Sequence, residues 1–513
     1  MRRAVVGSLV ASLALISPSA PAQSTVSASH VTAEPSLRKA VTRHQATLQG
    51  KRVRYTAVVA ENLVRDPGGM PAATVVTIAY LRDDVQDRSR RPVLFLFNGG
   101  PGASSSPLHM NALGPRVRTP APAGDRTGGG WTNNPDSPLD CADLVFIDPV
   151  GTGFSRPLPG ADPKPFYGVG GDASVVKTVI AAWLAANGRT ESPRYLVGES
   201  YGTIRAATIA GDFPELSLDG VLLVALAGAT PGREMPYVAS LPTMAAGAWW
   251  HERIERADRT VDQVFAETVE FARGEYVSAL IQGGSLAAPH RRRIAERMSA
   301  LIGLPVEFIE SKNLRISKND WMFNLLADRQ LRTGLLDVTV TAPLEAGADG
   351  AIDDPALGVV PRRAPGQAAE PPPTPAQIGA VPSPVVGRYL SEVLKFPATE
   401  PYYGVNFAVN AAWDYEERAN AFEKLAAAMR ARPTLRLFWA AGYYDLTTPA
   451  YAGRYTLDQA GIPAERLTAL YFAGPHGVYD APDNRASFAG AVRTFVTPQA
   501  ATSSEDRRKS ARQ

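Results

Sequence analysis

The stretch RYLVGESYGTIRAATIA, residues 194–210, decides the fold class of this chain. Residues 194–197 are rich in aromatic and aliphatic side chains and predict a strand, and residues 203–210 have the pattern of a helix. Between them, GESYG at 198–202 fits the G-x-S-x-G pattern of a nucleophile elbow, a turn so tight that the neighbours of Ser200 must be small. An ordinary Gly-Ser turn gives the same letters, so the rest of the chain has to decide.

Alternating strand and helix patterns on both sides of this stretch predict an α/β fold with a central, mostly parallel sheet. Continuous apolar runs, typical of strands buried on both faces, lie at 92–97, 143–147, 221–226, 434–440 and 467–473. Two runs of alternating polar and apolar residues, 52–59 and 73–80, flank the turn sequence DPGG and predict a β-hairpin. Helical patterns lie at 172–186 and 421–429.

The pattern changes in the middle of the chain. Residues 231–395 include helical stretches at 263–280 and 289–302 and a linker, 342–383, that is rich in Pro, Ala and Gly. We interpret this segment as a largely helical lid inserted into one α/β core. The two parts of that core span residues 46–230 and 396–497, and a polar tail that is predicted to be disordered spans 498–513.

The N-terminus predicts export. Two arginines precede an apolar stretch, 4–16, and small residues at 19–22 offer a cleavage site, so residues 1–22 are interpreted as a signal peptide. An N-terminal anchor helix is the alternative, but the apolar stretch is too short to span a bilayer. Residues 23–45 are polar and predict a flexible lead-in.

Cysteine content and charge narrow the class of protein further. Cys141 is the single cysteine in 513 residues, so the chain has no internal disulfide. Export without disulfides is usual in bacteria, so we expect a periplasmic or secreted bacterial protein that has no stable membrane association after cleavage. A formal net charge of +3 is small for this size and argues against a nucleic-acid partner. No H-E-x-x-H, paired C-x-x-C or cofactor motif occurs, so neither a metal nor a cofactor is expected, and the oligomeric state stays open.

A nucleophilic serine needs a base and an acid that orients it. In α/β-hydrolases these follow the serine in the order acid, then histidine. Of the six histidines, His476 lies beyond the inserted segment and directly follows the last apolar strand run, whereas His109, which follows a turn, is a weaker competitor. Asp445 comes just after the preceding strand run. Each of these two residues alone has an ordinary structural explanation, but three matched positions at three strand ends predict a triad with Ser200.

A glycine-rich loop follows the strand run at 92–97. Its sequence NGGPGASS, residues 98–105, allows backbone N–H groups to approach a reacting carbonyl closely. Together with the N–H of Tyr201, the residue after the serine, such a loop forms an oxyanion hole. A phosphate-binding loop is the competing interpretation, but that motif ends in Gly-Lys-Ser/Thr and this loop does not.

Taken together, the motifs resemble the serine carboxypeptidase family of α/β-hydrolases. They occur in the family's order and lie in roughly residues 90–230 and 400–490. The similar segments are FNGGPGASSS at 97–106, IDPVGTGFS at 147–155, VGESYG at 197–202, AGYYDLTTP at 441–449 and GPHGVY at 474–479. The resemblance implies an α/β-hydrolase fold and the release of C-terminal residues from peptides through an acyl-enzyme.

The resemblance also assigns roles, residue by residue. The implied catalytic residues are Ser200 as nucleophile, Asp445 as acid and His476 as base. The implied oxyanion-hole donors are the N–H groups of Gly100 and Tyr201, and the implied ligands of the substrate's terminal carboxylate are Asn98, Gly99 and Glu199. No arginine or lysine lies in these loops, but a protonated Glu199 can donate a hydrogen bond to the carboxylate, and a carboxyl beside another carboxylate has a raised pKa.

Three departures from the family put the substrate preference in doubt. Ala103 replaces a loop cysteine, a glutamate further along that loop is replaced near Asn111 and Ala112, and Gly477 follows the histidine in place of a bulky apolar residue.

The leading interpretation is a serine carboxypeptidase that acts on peptides and favours acidic pH. An esterase or acyltransferase with the same triad is the alternative, and the Asn98–Glu199 pair favours peptides over it. A non-catalytic binding protein on a hydrolase scaffold is the third possibility, against which the intact triad argues.

Overall fold

The computed structural model describes residues 34–120, 128–228, 230–344, 379–415 and 420–497. The chain divides into a unit at Met1–Ser36 and a unit at Leu37–Gln513, and all elements below belong to the second. The predicted signal peptide, the C-terminal tail and most of the predicted linker lie outside the described residues.

Sixteen strands lie in the described residues. They are β1 (Lys39–Leu48), β2 (Lys51–Arg65), β3 (Pro71–Arg82), β4 (Val93–Phe97), β5 (Arg116–Thr119), β6 (Gly130–Asn133), β7 (Asp143–Asp148), β8 (Arg156–Pro157), β9 (Arg194–Glu199), β10 (Gly220–Val224), β11 (Leu331–Thr333), β12 (Thr341–Pro343), β13 (Ala380–Pro382), β14 (Tyr403–Asn406), β15 (Arg436–Gly442) and β16 (Leu467–Phe472).

Thirteen α-helices lie in the same part of the chain. They are α1 (Val169–Ala186), α2 (Tyr201–Asp212), α3 (Met235–Trp250), α4 (Val261–Phe271), α5 (Val277–Gln282), α6 (Ala288–Ile302), α7 (Val306–Ser311), α8 (Lys318–Asn324), α9 (Pro384–Arg388), α10 (Phe407–Ala411), α11 (Ala421–Ala431), α12 (Ala450–Ala460) and α13 (Pro482–Val496).

Ten of the described strands form one mixed sheet. Its order is β1-β2-β3-β7-β4-β9-β10-β15-β16, with β8 beside β3. In sheet order, the strands β7, β4, β9, β10, β15 and β16 pair in parallel, and β1, β2 and β3 extend the sheet in antiparallel fashion. The predicted α/β fold with a mostly parallel sheet is therefore confirmed, and the predicted hairpin is the β2–β3 pair.

The flexible lead-in predicted for residues 23–45 is wrong over its last part. Residues 39–45 belong to β1, which pairs with β2 from Lys39 opposite Ala60 to Leu48 opposite Lys51. Because β1 is an edge strand, most of its side chains face solvent, and only Ala40, Ala46 and Leu48 are buried. A strand of this kind lacks the apolar pattern that marks the central strands.

The core lies on both faces of the sheet. All five residues of β4 are buried, with Phe95 and Phe97 in the layer that includes α1 and α2, and Leu94 and Leu96 in the layer that includes α13. Burial on both faces explains why the central strands read as continuous apolar runs. Among the described residues α1 alone has the length and hydropathy of a membrane span, but half of it is buried, as is usual for a core helix.

The insertion lies between β10 and β15, which are parallel neighbours in the sheet. The helices predicted at 263–280 and 289–302 correspond to α4, α5 and α6, with a π-helical turn at Ala272–Tyr276 between the first two. The role of this segment as a lid stays a prediction. Strand β14, which follows the insertion in the chain, reaches the glycine-rich loop, where the Asn406 N–H donates to the Gly102 carbonyl at 2.7 Å.

Candidate active site

The topology of the sheet brings four loops to one edge. The strands β4, β9, β10, β15 and β16 are parallel neighbours, and loops at the carboxyl ends of parallel strands lie side by side, where α/β proteins bind their ligands. The loops after β4, β9, β15 and β16 contain Asn98, Ser200, Asp445 and His476, respectively.

Ser200 lies at the sharp turn between β9 and α2. Its backbone has φ 58° and ψ −128°, and a positive φ is strained for a residue with a side chain. The flanking glycines are needed for close packing, since a Cβ on Gly198 would lie 2.1 Å from the Gly202 carbonyl oxygen, and one on Gly202 would lie 2.9 Å from the Phe97 carbonyl oxygen. This is the strained strand-to-helix turn expected of a nucleophile elbow.

Asp445 and His476 are joined by a hydrogen bond of 2.8 Å between Oδ2 and Nδ1. The carboxylate is buried and also accepts from the backbone N–H groups of Thr447 and Thr448, at 2.9 and 3.0 Å, and from the Thr448 hydroxyl. Burial by itself would raise the pKa of Asp445, but His476 and these hydrogen bonds hold that pKa below its usual value. A carboxylate bound at Nδ1 leaves Nε2 as the nitrogen that accepts a proton from a serine.

The imidazole of His476 lies among carboxylates. Burial lowers its pKa, but the charge and hydrogen bond of Asp445, and the charge of Glu199, outweigh the burial and raise the pKa above the usual histidine value. As the solution is acidified, His476 therefore becomes protonated at a higher pH than a free histidine does, and its neutral form is the one that can act as a base.

Among the described hydrogen bonds, none joins Ser200 to His476. The described hydrogen bonds of His476 go to Asp445, Thr448 and Leu336. His476 nevertheless interacts electrostatically with Glu199, the residue before Ser200, so the base lies beside the elbow. Catalytic hydrogen bonds are often long in free enzymes and shorten with substrate. The triad itself stays a prediction.

The competing histidine, His109, is shut off from any substrate. It is fully buried, is enclosed by the rings of Tyr80, Phe146 and Tyr389, and lies 2.7 Å from the Tyr80 hydroxyl. Burial lowers its pKa to about 3, so its imidazole is neutral at ordinary pH.

The glycine-rich loop packs directly on the start of α2. A Cβ on Gly99 would lie 2.3 Å from the backbone nitrogen of Tyr201, so only glycine permits this approach. Gly100 has φ 97°, and a Cβ there would lie 2.7 Å from the Ala103 nitrogen. Tyr201 is the first residue of α2, and the first N–H groups of a helix have no partner within it. The loop thus packs through Gly99, the residue before Gly100, against Tyr201, and the oxyanion hole formed by Gly100 and Tyr201 stays a prediction.

Glu199 is a buried carboxyl with a partner on each oxygen. Asn98 Nδ2 donates to Oε1 at 2.7 Å, and the Tyr479 hydroxyl donates to Oε2 at 2.5 Å. Burial raises the pKa of Glu199 to about 7, against the opposing effects of His476 and of the hydrogen bond from Tyr479. The predicted Asn98–Glu199 pair is thus in contact, and the carboxyl is half protonated near neutral pH even without a bound substrate.

Sequence reasoning missed three side chains of this region. Tyr479 lies in the GPHGVY segment, three residues after His476, but no sequence pattern predicted its contact with Glu199. Arg118, in the β5–β6 hairpin, interacts electrostatically with Tyr479 and Asp480, although no arginine was expected near the site. Arg118 Nε donates to Asn111 Oδ1 at 2.7 Å, so Asn111, at the place where the family's glutamate is replaced, binds the arginine.

Arg205 is the third missed residue, and it lies beneath the glycine-rich loop. Its side chain is fully buried, with Nη1 donating to the Asn98 carbonyl and Nε to Asp172 Oδ2, both at 2.6 Å. The guanidinium carbon is 5.4 Å from the centre of the Tyr201 ring. One cation therefore contacts both the glycine-rich loop and the first residue of α2.

The insertion also reaches the candidate triad. Residues 335–338, which we call the bracing segment, make three backbone hydrogen bonds with the loops that carry acid and base. These bonds are Leu446 N–H to Leu335 O at 3.0 Å, His476 N–H to Leu336 O at 2.9 Å, and Val338 N–H to Tyr444 O at 3.0 Å. Lys318, at the start of α8, donates from Nζ to the Thr447 carbonyl at 3.0 Å.

Comparison with known proteins identifies the segment that contains the glycine-rich loop and the elbow. The family model of the serine carboxypeptidases matches residues 80–214. That match is limited to residues 80–214, so the likeness at the level of a family model is shown for this segment. The resemblance inferred from the motifs is thereby confirmed, and this serine carboxypeptidase segment supplies Asn98, Glu199 and Ser200.

Relatives and solved structures agree with this assignment. The chain is 39% identical over 77 residues to the pheromone-processing carboxypeptidase KEX1 of Komagataella phaffii and to that of Komagataella pastoris. The match covers 15% of this chain and 11% of the length of these relatives. The structure is similar to that of a prohormone-processing carboxypeptidase from Saccharomyces cerevisiae, with a TM-score of 0.51 and 13% identity over 86% of this chain and 91% of the other. That likeness shows a shared α/β-hydrolase fold.

Proposed function

We propose that this chain is a serine carboxypeptidase that releases C-terminal residues from peptides through an acyl-enzyme on Ser200. The observation that supports the proposal most is Glu199, a buried carboxyl adjacent to Ser200 and hydrogen-bonded to Asn98 at 2.7 Å, within a serine carboxypeptidase segment. An esterase has no need for a protonatable carboxyl at this place, whereas an exopeptidase must recognise a free C-terminus.

The proposed chemistry has two steps. Ser200 Oγ attacks the carbonyl of the last peptide bond while Nε2 of His476 takes the hydroxyl proton and Asp445 stabilises the imidazolium. The N–H groups of Gly100 and Tyr201 stabilise the oxyanion, and His476 then gives its proton to the leaving amine as the C–N bond breaks. Water next attacks the acyl ester with His476 as base, and the shortened peptide leaves from Ser200 as a carboxylic acid.

The C-terminal carboxylate of the substrate binds to the Asn98 amide, the Gly99 N–H and protonated Glu199. Because the pKa of Glu199 is about 7, its proton is present below that pH and is lost as the pH rises through it. The catalytic step depends on pH in the opposite sense. As the pH falls, His476 takes up a proton at a higher pH than a free histidine would, and it can then no longer act as a base. We therefore expect the preference for acidic pH to arise from recognition of the substrate's carboxylate and not from the catalytic step.

The decisive experiment compares an N-blocked dipeptide with its C-terminally amidated form across a pH series. Both substrates need the same base, so the ratio of their kcat/KM values isolates recognition of the carboxylate. We expect the ratio to favour the free acid and to fall as the pH rises through about 7. Equal hydrolysis of both forms, or cleavage of simple esters only, would indicate the esterase or acyltransferase instead.

Ser200 is tested separately from the substrate class. Ser200→Ala should abolish hydrolysis of every substrate, and a fluorophosphonate should label the wild type but not the variant. A wild-type chain that takes no label would indicate a binding protein on a hydrolase scaffold.

We also propose that the chain is exported and processed after Ala22. The support is the arginine pair, the apolar stretch and the small residues at 19–22. N-terminal sequencing of the protein recovered from periplasm and medium tests this. A mature chain that begins at Gln23 is expected, and a chain that keeps its first residues in the cytoplasm would contradict it.

A further inference from the structure

The two oxygens of Glu199 are held by two neutral donors from different loops. Asn98, after β4, binds Oε1, and Tyr479, in the histidine loop, binds Oε2 at 2.5 Å. Asn98 is itself fixed, because its Oδ1 accepts from the Leu108 N–H at 3.2 Å. Glu199 therefore has a defined orientation only while both loops are in place.

Tyr479 is buried, like the carboxyl that it contacts. Its side chain is 1% exposed, and its ring packs against Phe488 of α13 with ring centres 5.8 Å apart. A tyrosine hydroxyl both donates and accepts, so it keeps a hydrogen bond with Glu199 in either protonation state of the carboxyl. An amide or a second carboxyl at this place would have to reorient or exchange a proton to do the same.

We propose that Tyr479 is a positioning residue that holds Glu199 for recognition of a peptide C-terminus and links this recognition to the loop of His476. The proposal rests on the proposed carboxypeptidase function. The proposal also accounts for the departure near Asn111 and Ala112. Asn111 is bound to Arg118 and Ala112 has no polar side chain, and Tyr479 of the histidine loop serves as the partner of Glu199.

Several charged groups face this pair and set its response to pH. His476 and Asp480, on the same loop as Tyr479, interact with Glu199, and Arg118 interacts with Tyr479 and Asp480. Burial raises the pKa of Asp480 to about 6, with Arg118 and His476 opposing, and burial raises the pKa of Tyr479 well above its usual value. The phenol therefore stays neutral and donates when Glu199 ionises, which lowers the pKa of Glu199.

Tyr479→Phe removes the hydroxyl and keeps the ring that packs on Phe488. We expect the ratio of kcat/KM between free-acid and amidated dipeptides to fall about tenfold at low pH, since a hydrogen bond to a carboxyl that is held in place is lost. We expect the pH midpoint of the remaining ratio to move upward, because the donor that favours ionised Glu199 is gone. Hydrolysis of the amide should stay near the wild-type rate, which also reports that the variant is folded.

Tyr276→Phe is the matched control. Tyr276 is likewise a buried tyrosine whose hydroxyl donates a hydrogen bond, here to the Leu314 carbonyl at 2.8 Å, but it lies in the insertion and its described contacts include neither Glu199 nor the glycine-rich loop. It should leave both the ratio and its midpoint unchanged. The proposal is overturned if Tyr479→Phe behaves like this control, or if it reduces acid and amide hydrolysis equally. Failure of the proposed function is a distinct result, in which the wild type itself fails to discriminate the two substrates.

Discussion

The backbone N–H of His476 donates to the carbonyl of Leu336, 140 residues earlier in the chain, over 2.9 Å. The same bracing segment, 335–338, accepts from Leu446 and donates to Tyr444 on either side of Asp445. A part of the insertion is thus hydrogen-bonded to both loops that form the Asp445–His476 contact. We therefore expect a displacement of this segment to shift Asp445 and His476 relative to each other, and small misplacements of catalytic groups are costly.

Lys318 is the side chain through which this support can be tested. Its Nζ donates to the Thr447 carbonyl at 3.0 Å, and the Thr447 N–H donates to Asp445 Oδ1 at 2.9 Å. Lys318→Met keeps the length of the side chain and removes the donor. We expect kcat to fall about tenfold with little change in KM, since the loss of a charged hydrogen bond loosens the acid loop without touching the substrate.

The pH profile gives Lys318 a second signature. Burial lowers its pKa to about 8, so the wild type loses the ammonium group as the pH rises through that value. His476 titrates in both proteins, so the ratio of the wild-type kcat to the Lys318→Met kcat isolates the lysine and should decline above that pH. Lys424→Met, which removes an exposed lysine bound to Asp212 at 2.9 Å, is the control and should leave kcat and its pH profile unchanged. Identical profiles for wild type and Lys318→Met would rule out the role of Lys318.

Local patterns predicted the central sheet and the contact between acid and base, because each depends on a short stretch that begins or ends a strand. The apolar runs predicted β4, β7 and β10, and the positions just after β15 and β16 pointed to Asp445 and His476. The edge strand β1 was missed because most of its side chains face solvent. The bracing segment, Arg205 and the contact of Tyr479 were missed because each depends on groups far apart in the chain, for which one sequence has no periodic signal.

Arg205 should affect stability and catalysis separately. Arg205→Met removes the donor to the Asn98 carbonyl and leaves Asp172 buried without its cation. Breaking a buried ion pair in this way costs about 3–5 kcal/mol, which thermal unfolding will show as a lower Tm. We also expect a lower kcat/KM, because Asn98 and the glycine-rich loop lose the hydrogen bond from Arg205.

The double variant Asp172→Leu/Arg205→Met separates the two effects. Replacing both charges by apolar groups should restore most of the lost stability, since no unpaired charge remains buried. It should not restore kcat/KM, because the Asn98 carbonyl still lacks its donor. Recovery of activity together with stability would mean that Arg205 acts on the fold alone.

Gly99 tests the approach of the glycine-rich loop to the elbow. In Gly99→Ala the new Cβ would lie 2.3 Å from the Tyr201 nitrogen and 2.6 Å from the Gly202 nitrogen, so the loop must move away from α2. We expect kcat to fall about a hundredfold, the range seen when one oxyanion-hole donor is lost. Gly274→Ala is the control, because a Cβ there meets no atom within 4 Å, and it should leave kcat unchanged. A Gly99→Ala variant with normal kcat would place the oxyanion hole elsewhere.

We expect ionisation of Glu199 to destabilise the folded state at neutral and alkaline pH. Its pKa is about 7 in the folded chain, against 4.5 for an ordinary glutamate, so between these values the folded state holds a proton that the unfolded state has lost. Stability therefore falls as the pH rises through this window, by about 1.4 kcal/mol for each unit of pKa difference. Glu199→Gln removes the titration, so its Tm relative to wild type should be higher at about pH 8 than at about pH 5. Glu423→Gln, at an exposed position, serves as the control and should show no such change in Tm. If the Tm difference between Glu199→Gln and wild type does not depend on pH, then the Glu199 carboxyl titrates alike in the folded and unfolded states.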